Sequence, residues 1–191
     1  MKSIKEEIAE SIAVKQAILD SPQIQASIAS AAQMLTEAYQ AGHMALLAGN
    51  GGSAADAQHL AGELVNRFYF DRPGIPAHSL STDTSVMTAV GNDYGFKYLF
   101  ARQVQAQGRQ GDVFIGISTS GNSENVVEAL KVCREKGIKS IGLTGNAPCQ
   151  MDSLCDLCIK VPSECTPRIQ EAHILIGHII CAIVEENLFG K

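Results

Sequence analysis

Short apolar runs, each followed by turn residues and then a helical stretch, recur along the chain from residue 44 onward: Met44 to Ala48, Pro76 to Leu80, Val113 to Ile117, Lys139 to Leu143 and Leu157 to Val161. Strands that alternate with helices in this way are the signature of βαβ units around a parallel sheet. Ahead of them the pattern is helical. Ser3-x-x-Glu6 reads as a capping box, and Ile4, Ile8 and Ile12 follow it on one i, i+4 row. Ser21 then caps a second helix with Pro22 at its first position. The expected architecture is α/β, an open parallel five-stranded sheet flanked by helices, organised as one unit over 1–191 with a helical hairpin over 1–42 and an α/β core over 43–191.

The last segment, Thr166 to Leu188, reads as a long helix that is apolar nearly all round. One sheet covers only one face of a helix. This helix and the hairpin are therefore expected to pack in a subunit interface, as a helical bundle at the centre of a homo-oligomer.

A chain of 191 residues with 46% apolar content is long enough to bury a core. Its net charge of −5 and the absence of any Lys/Arg run argue against a nucleic-acid or anionic-membrane surface, because both need a basic footprint. Met1 to Glu7 carries both signs of charge and leads into no apolar core, so it is not a secretory signal. The most apolar stretch, His173 to Val184, falls short of the ~18 to 20 residues of a membrane span. A soluble, cytoplasmic protein is expected. Its six cysteines read as reduced thiols. A zinc knuckle built on Cys155-Asp156-Leu157-Cys158 is disfavoured, because Cys158 sits in an apolar, strand-like run and the outer spacings from Cys149 and Cys165 do not repeat.

Two of the runs lead into loops of similar kind, Gly49-Asn50-Gly51-Gly52-Ser53 and Ser118-Thr119-Ser120-Gly121-Asn122-Ser123, each followed by a helix. Glycine lets backbone approach closely, helix-start N–H groups point outward, and the helix dipole favours negative charge. Neither loop holds Lys or Arg, so an anion here is held by dipoles and hydroxyls. Each loop alone is ordinary turn chemistry. The first loop also fits the dinucleotide pattern G-x-G-x-x-A, but the acidic residue expected ~20 positions on would be Asp71, inside the turn Asp71-Arg72-Pro73-Gly74. No Lys-Ser or Lys-Thr follows the glycines, so the P-loop pattern is absent. Two such loops at strand ends favour a compact phosphorylated ligand. Downstream, His59 and Glu63 share a helix face, an arrangement that also suits a plain surface pair. The final helix carries Gln170, Glu171, His173 and His178 in an oily stretch, where polar groups need partners or a purpose. Glu171 and His178 are nearly in line, whereas Gln170 and His178 stand ~12 Å apart along the axis, and periodicity does not choose between Gln170 and Glu171.

Taken together, the two loops, His59, Glu63, Gly91-Asn92-Asp93, Arg168-Ile169-Gln170-Glu171 and His178 resemble the phosphoheptose isomerases, the sedoheptulose 7-phosphate isomerases of the SIS (sugar isomerase) superfamily. The likeness runs over essentially the whole chain. The Ser loops are superfamily-wide, and the combination of Glu63 with Gln170 and His178 is more specific. The resemblance implies an SIS-type fold, a homotetramer with sites near subunit interfaces, and a substrate phosphate resting on Ser53, Ser118, Thr119, Ser120 and Ser123. Asn50, Gly51, Gly52, Glu63, Asn92, Asp93 and Gln170 match substrate-contacting positions. His59, Glu63, Gln170 and His178 match a zinc site, one ion per subunit, whose donor types suit a divalent ion that leaves room for substrate.

An aldose–ketose conversion needs a base to remove a carbon-bound proton beside the carbonyl and an acid to manage the proton on the other side. Glu63 is the candidate base and His178 the candidate acid. The expected product is D-glycero-D-manno-heptose 7-phosphate, at the first step of nucleotide-activated heptose biosynthesis, which feeds structures such as lipopolysaccharide. The chain also resembles, less well, the DnaA initiator-associating proteins, tetrameric regulators on the same fold. Ala54 to His59 carries that likeness, and Glu63 separates the two readings in favour of the enzyme. Isomerases for other sugar phosphates on this fold are the remaining alternative.

Overall fold

A computed structural model describes residues 2–190. Two helix caps start the chain as the sequence predicts. In α1 (Ile4–Leu19) Ser3 and Glu6 close a reciprocal capping box, and in α2 (Pro22–Gln40) the Ser21 side chain accepts from the Ile24 N–H. The Ile4/Ile8/Ile12 row, however, is exposed, at 81%, 56% and 60%. It is not the face that α1 lays on its own chain. Ile18 and Val14 make the contact with the core, and Arg168 reaches back to the Glu7 carbonyl oxygen.

Five strands follow, β1 (Ala45–Gly49), β2 (Ala77–Ser79), β3 (Val113–Ile117), β4 (Lys139–Thr144) and β5 (Leu157–Lys160), in the order β2-β1-β3-β4-β5. All pairings are parallel. The open five-stranded sheet is the one expected, with edges shifted by a residue or so because the flanking Met44, Pro76 and Val161 bond to neighbouring strands without belonging to the ladder. The connecting helices are α3 (Gly52–Val65), α4 (Thr84–Asp93), α5 (Leu99–Gln107), α6 (Glu124–Lys136) and α7 (Met151–Leu154), and α8 (Thr166–Phe189) closes the chain. Two apolar layers result. One lies between the sheet and α2, α3 and α8, with Leu35, Leu60, Ile141, Ile176 and Val184; the other packs α5 and α6 on the opposite face, with Phe100, Phe114 and Leu130.

The chain moves to one side of β1 to make β2 and to the other side to make β3, so the connections diverge at β1/β3. In open α/β sheets ligands bind outside the carboxyl ends of the strands at such a switch point. Gly49 pairs with Ile117, so the loops after β1 and β3 leave the sheet at the same level.

The expectation that the apolar tail is too short for a membrane span is corrected: α8 has 24 residues and is, by length and composition, apolar enough to cross one. Its packing accounts for that character. Ile169, Ala172, Ile176, Ile180 and Val184 are buried against the core, while Ile174, Leu175, Ile179 and Ile183 are half-buried. His173 on the same helix is fully buried, and no hydrogen bond to either ring nitrogen is formed among the described residues. Burial holds its pKa down at about 4, opposed weakly by the nearby Thr144 backbone.

Candidate active site

The first loop turns at Gly51, where φ is +55° and ψ −121°, a conformation that L side chains rarely adopt. That turn aims the start of α3 outward and buries Ser53 beneath it. A Cβ at Gly52 would stand 2.6 Å from Nε2 at the end of the Gln170 side chain, so a residue larger than glycine here would have to displace that amide. Gln170, on α8, therefore seats directly on the loop backbone.

The second loop is a ring of hydroxyls. Ser118 Oγ lies 2.8 Å from Ser123 Oγ and 3.4 Å from Ser120 Oγ, and Ser120 Oγ accepts from the Asn122 N–H at 3.2 Å. Ser123 stands at the N-cap of α6 without capping it by its side chain, so its hydroxyl is turned to the ring. Thr119 and Ser120 line a cleft of about 280 Å³ shared with Ser163 and the start of α8. The two loops are fastened together by a reciprocal amide pair: Asn50 Nδ2 donates to Asn125 Oδ1 and Asn125 Nδ2 to Asn50 Oδ1, each at 2.8 Å. Neither loop holds a cation; together they present hydroxyls, N–H groups and two helix starts, an arrangement that can hold an anion.

Along α3, His59 and Glu63 lie on the side facing α8, and the two helices run alongside each other. Gly177, where a Cβ would meet the Leu60 side chain at 2.5 Å, lets them approach. His59 Nε2 is 2.8 Å from His178 Nε2 and 3.2 Å from Glu63 Oε1. One donor atom from each of His59, Glu63 and His178 lies within 4.8 Å of the others. Two ring nitrogens aimed at each other share a proton or flank a cation, and nitrogen and carboxylate donors at this spacing form a set that can hold a divalent metal. The fit to such an ion is thus good for three of the four residues suggested by the sequence. Gln170 lies at the level of Gly52, about two helical turns from His178. Glu171, the alternative that periodicity left open, is engaged elsewhere, accepting from Arg168 Nη2 at 2.7 Å.

Asn92 and Asp93 make no hydrogen bond to either loop among the described residues. They are exposed at the end of α4, where Asn92 donates to Asp93 Oδ1 at 2.8 Å.

Some residues that shape the site carry no sequence signal. Asn125 is an ordinary polar residue at a helix start until Asn50 is seen opposite it. Arg72 and Glu185 form a buried ion pair at 2.9 Å, with both side chains nearly inaccessible. Glu185 also accepts from the N–H groups of Phe68 and Tyr69 at 2.7 and 2.6 Å, and Arg72 donates to the carbonyls of Glu63 and Leu64 at 2.8 and 2.7 Å. Burial opposes the Glu185 charge, but these donors outweigh it and hold its pKa down. The pair ties the last turn of α3, which carries Glu63, to α8, which carries His178. Asp56, one turn before His59, is half-buried with an unpartnered Oδ2, and burial raises its pKa to about 6 against the pull of His59.

Residues 9–145 match the SIS domain family. The chain is 65% identical over 188 residues to phosphoheptose isomerase 2 of Campylobacter jejuni, covering 98% of this chain and 94% of that protein. It is 62% identical to the phosphoheptose isomerase of Aneurinibacillus thermoaerophilus, covering 97% and 94% of the two chains. Among solved structures, the phosphoheptose isomerase of Neisseria gonorrhoeae superposes with a TM-score of 0.90 at 41% identity, covering 96% of this chain and 97% of that one.

Proposed function

The chain belongs to the phosphoheptose isomerases of the SIS domain family, and from that membership we propose that it interconverts sedoheptulose 7-phosphate and D-glycero-D-manno-heptose 7-phosphate through an enediolate. The observation that carries this reading is the meeting of Glu63, His59 and His178, brought from two distant segments to one point on the helix that starts at the anion cradle. His59 stands six positions after Ser53 on α3, a rise of ~9 Å, which an extended seven-carbon sugar phosphate can span.

In this reading the hydroxyls of Ser53, Ser118, Thr119, Ser120 and Ser123 and the helix-start N–H groups hold the phosphate without a cation. Asn50, Gly51, Gly52, Asn92, Asp93 and Gln170 contact the sugar. Glu63 takes the proton from C1 of the open-chain ketose. His178 moves a proton between the oxygens on C1 and C2, and Glu63 returns its proton to C2, so the base and the acid each end as they began. Zinc, one ion per subunit, would be held by His59, Glu63 and His178 and would stabilise the negative oxygen as a Lewis acid, while Gln170, two turns along α8 at the level of Gly52, could complete the set only from a neighbouring subunit. The half-buried apolar face of α8 and the exposed Ile4/Ile8/Ile12 row support a homotetramer with sites near its interfaces. One unit over 1–191, a cytoplasmic location and a place at the start of nucleotide-activated heptose synthesis, as for lipopolysaccharide, complete the proposal.

Replacing Glu63 with Gln keeps the shape and removes the base. Its kcat on sedoheptulose 7-phosphate, followed by NMR of the aldoheptose phosphate, is expected to fall at least ~10²-fold, with binding of the sugar phosphate largely kept. Normal turnover would remove Glu63 from the mechanism.

A further inference from the structure

The Cys155-Asp156-Leu157-Cys158 motif plays no part in the isomerase chemistry, yet the fold builds it as a pair. Residues three apart in a regular strand point to opposite faces. Here the chain bends at Asp156, which is pinned to the start of β4: its carboxylate accepts from the Ser140 N–H at 2.7 Å and from the Ser140 hydroxyl at 2.9 Å, and its own N–H donates to that hydroxyl at 3.0 Å. The bend brings Cys155, at the end of α7, over the side of the sheet that Cys158 occupies. Both sulfurs converge on Gly142, the β4 residue paired with Cys158, where a Cβ would stand 2.8 Å from Cys155 Sγ and 3.3 Å from Cys158 Sγ. Neither cysteine is fully enclosed, and Cys158 lines a cleft of about 320 Å³ between the start of α2 and the β5 edge.

The two thiols are not equivalent. The neighbouring Cys155 thiol lowers the pKa of Cys158, helped by the Thr144 hydroxyl 3.6 Å away, and the proximity of Cys158 raises that of Cys155. Burial pushes Cys133 and Cys181 up to about 12, which leaves them inert.

We propose that Cys155 and Cys158 form a redox-active dithiol that a small hydroperoxide closes to a disulfide. The Cys158 thiolate attacks a peroxide oxygen, the O–O bond breaks, and Cys158 becomes a sulfenic acid as hydroxide leaves and is protonated to water. Cys155 then attacks the sulfenic sulfur. The S–O bond breaks, hydroxide leaves with the Cys155 proton as a second water, and the S–S bond forms; two thiols have lost two electrons to one hydrogen peroxide.

The test treats the purified full-length protein with equimolar hydrogen peroxide, alkylates the remaining thiols and maps peptides without reduction. The peptide spanning residues 155–158 is expected unalkylated and lighter by two hydrogen atoms, with dithiothreitol restoring it. Cys155→Ser is expected to accumulate a dimedone-reactive sulfenic acid on Cys158. Should that variant fail to fold, the wild-type protein decides alone, with Cys158 alkylated by iodoacetamide at least about tenfold faster at pH 7 than the exposed Cys165. Full alkylation of both cysteines after peroxide, or Cys158 labelling no faster than Cys165, would overturn the proposal.

Discussion

Replacing His173 with Leu tests whether the buried imidazole makes the fold sensitive to acid. His173 is fully enclosed on α8, its ring nitrogens lack hydrogen-bond partners among the described residues, and its pKa drops from 6.5 to about 4. A folded-state pKa below the unfolded one means that the unfolded chain binds the proton more readily, so stability is fully present above pH 6.5 and is lost as pH falls toward 4. Integrated over that window, the loss is about 2 kcal/mol at pH 5 and about 3 kcal/mol at pH 4. Leu is close to His in volume and has no polar atoms, so at pH 7.5 the variant should match the wild type or exceed it by about 1 kcal/mol, since an unpaired buried group has been removed. Urea unfolding followed by circular dichroism, at one protein concentration and at pH 7.5 and 5, measures both numbers. Subtracting the variant's pH dependence from the wild type's cancels the other titrating groups. Parallel losses in the two proteins between pH 7.5 and 5 would refute the reasoning and imply that His173 is solvated or hydrogen-bonded.

Arg72→Met leaves Glu185 charged and enclosed, and should destabilise the protein by about 3–5 kcal/mol, whereas Arg72→Met with Glu185→Leu should recover part of that loss in thermal melts. Gly52→Ala drives a methyl into the end of the Gln170 side chain, which can swing aside. Its expected signature is a raised KM with stability changed by less than about 1 kcal/mol. Incubation with a chelator should abolish turnover of sedoheptulose 7-phosphate and added zinc should restore it; activity that survives exhaustive chelation would remove the metal from the reaction.

The strands, the loops at their carboxyl ends and the capped hairpin were legible because local signals decide them: short apolar runs, Gly/Ser clusters and the Ser3/Glu6 and Ser21/Pro22 starts. The His59/Glu63 face was legible too, since a spacing of four fixes it on any helix. What periodicity could not deliver was the partner across the gap. Nothing in the residues around 178 says that this histidine meets His59, because that depends on how close α3 and α8 come, and their closeness depends on Gly177 and Leu60. The choice between Gln170 and Glu171 was likewise open until Arg168 was seen to occupy Glu171. Arg72 and Glu185 were invisible for the same reason: a charge looks like surface until its partner, 113 positions away, is found enclosed with it. The Ile4/Ile8/Ile12 row was read correctly as an apolar stripe, but a stripe does not say which surface it will meet.

The paired amides of Asn50 and Asn125 have a mechanical consequence. They weld the two halves of the anion grip, which leave the sheet on different strands and could otherwise flex separately, into one jaw. Damage to either half should then be felt by both, so that removing one amide injures phosphate binding almost as much as removing the pair.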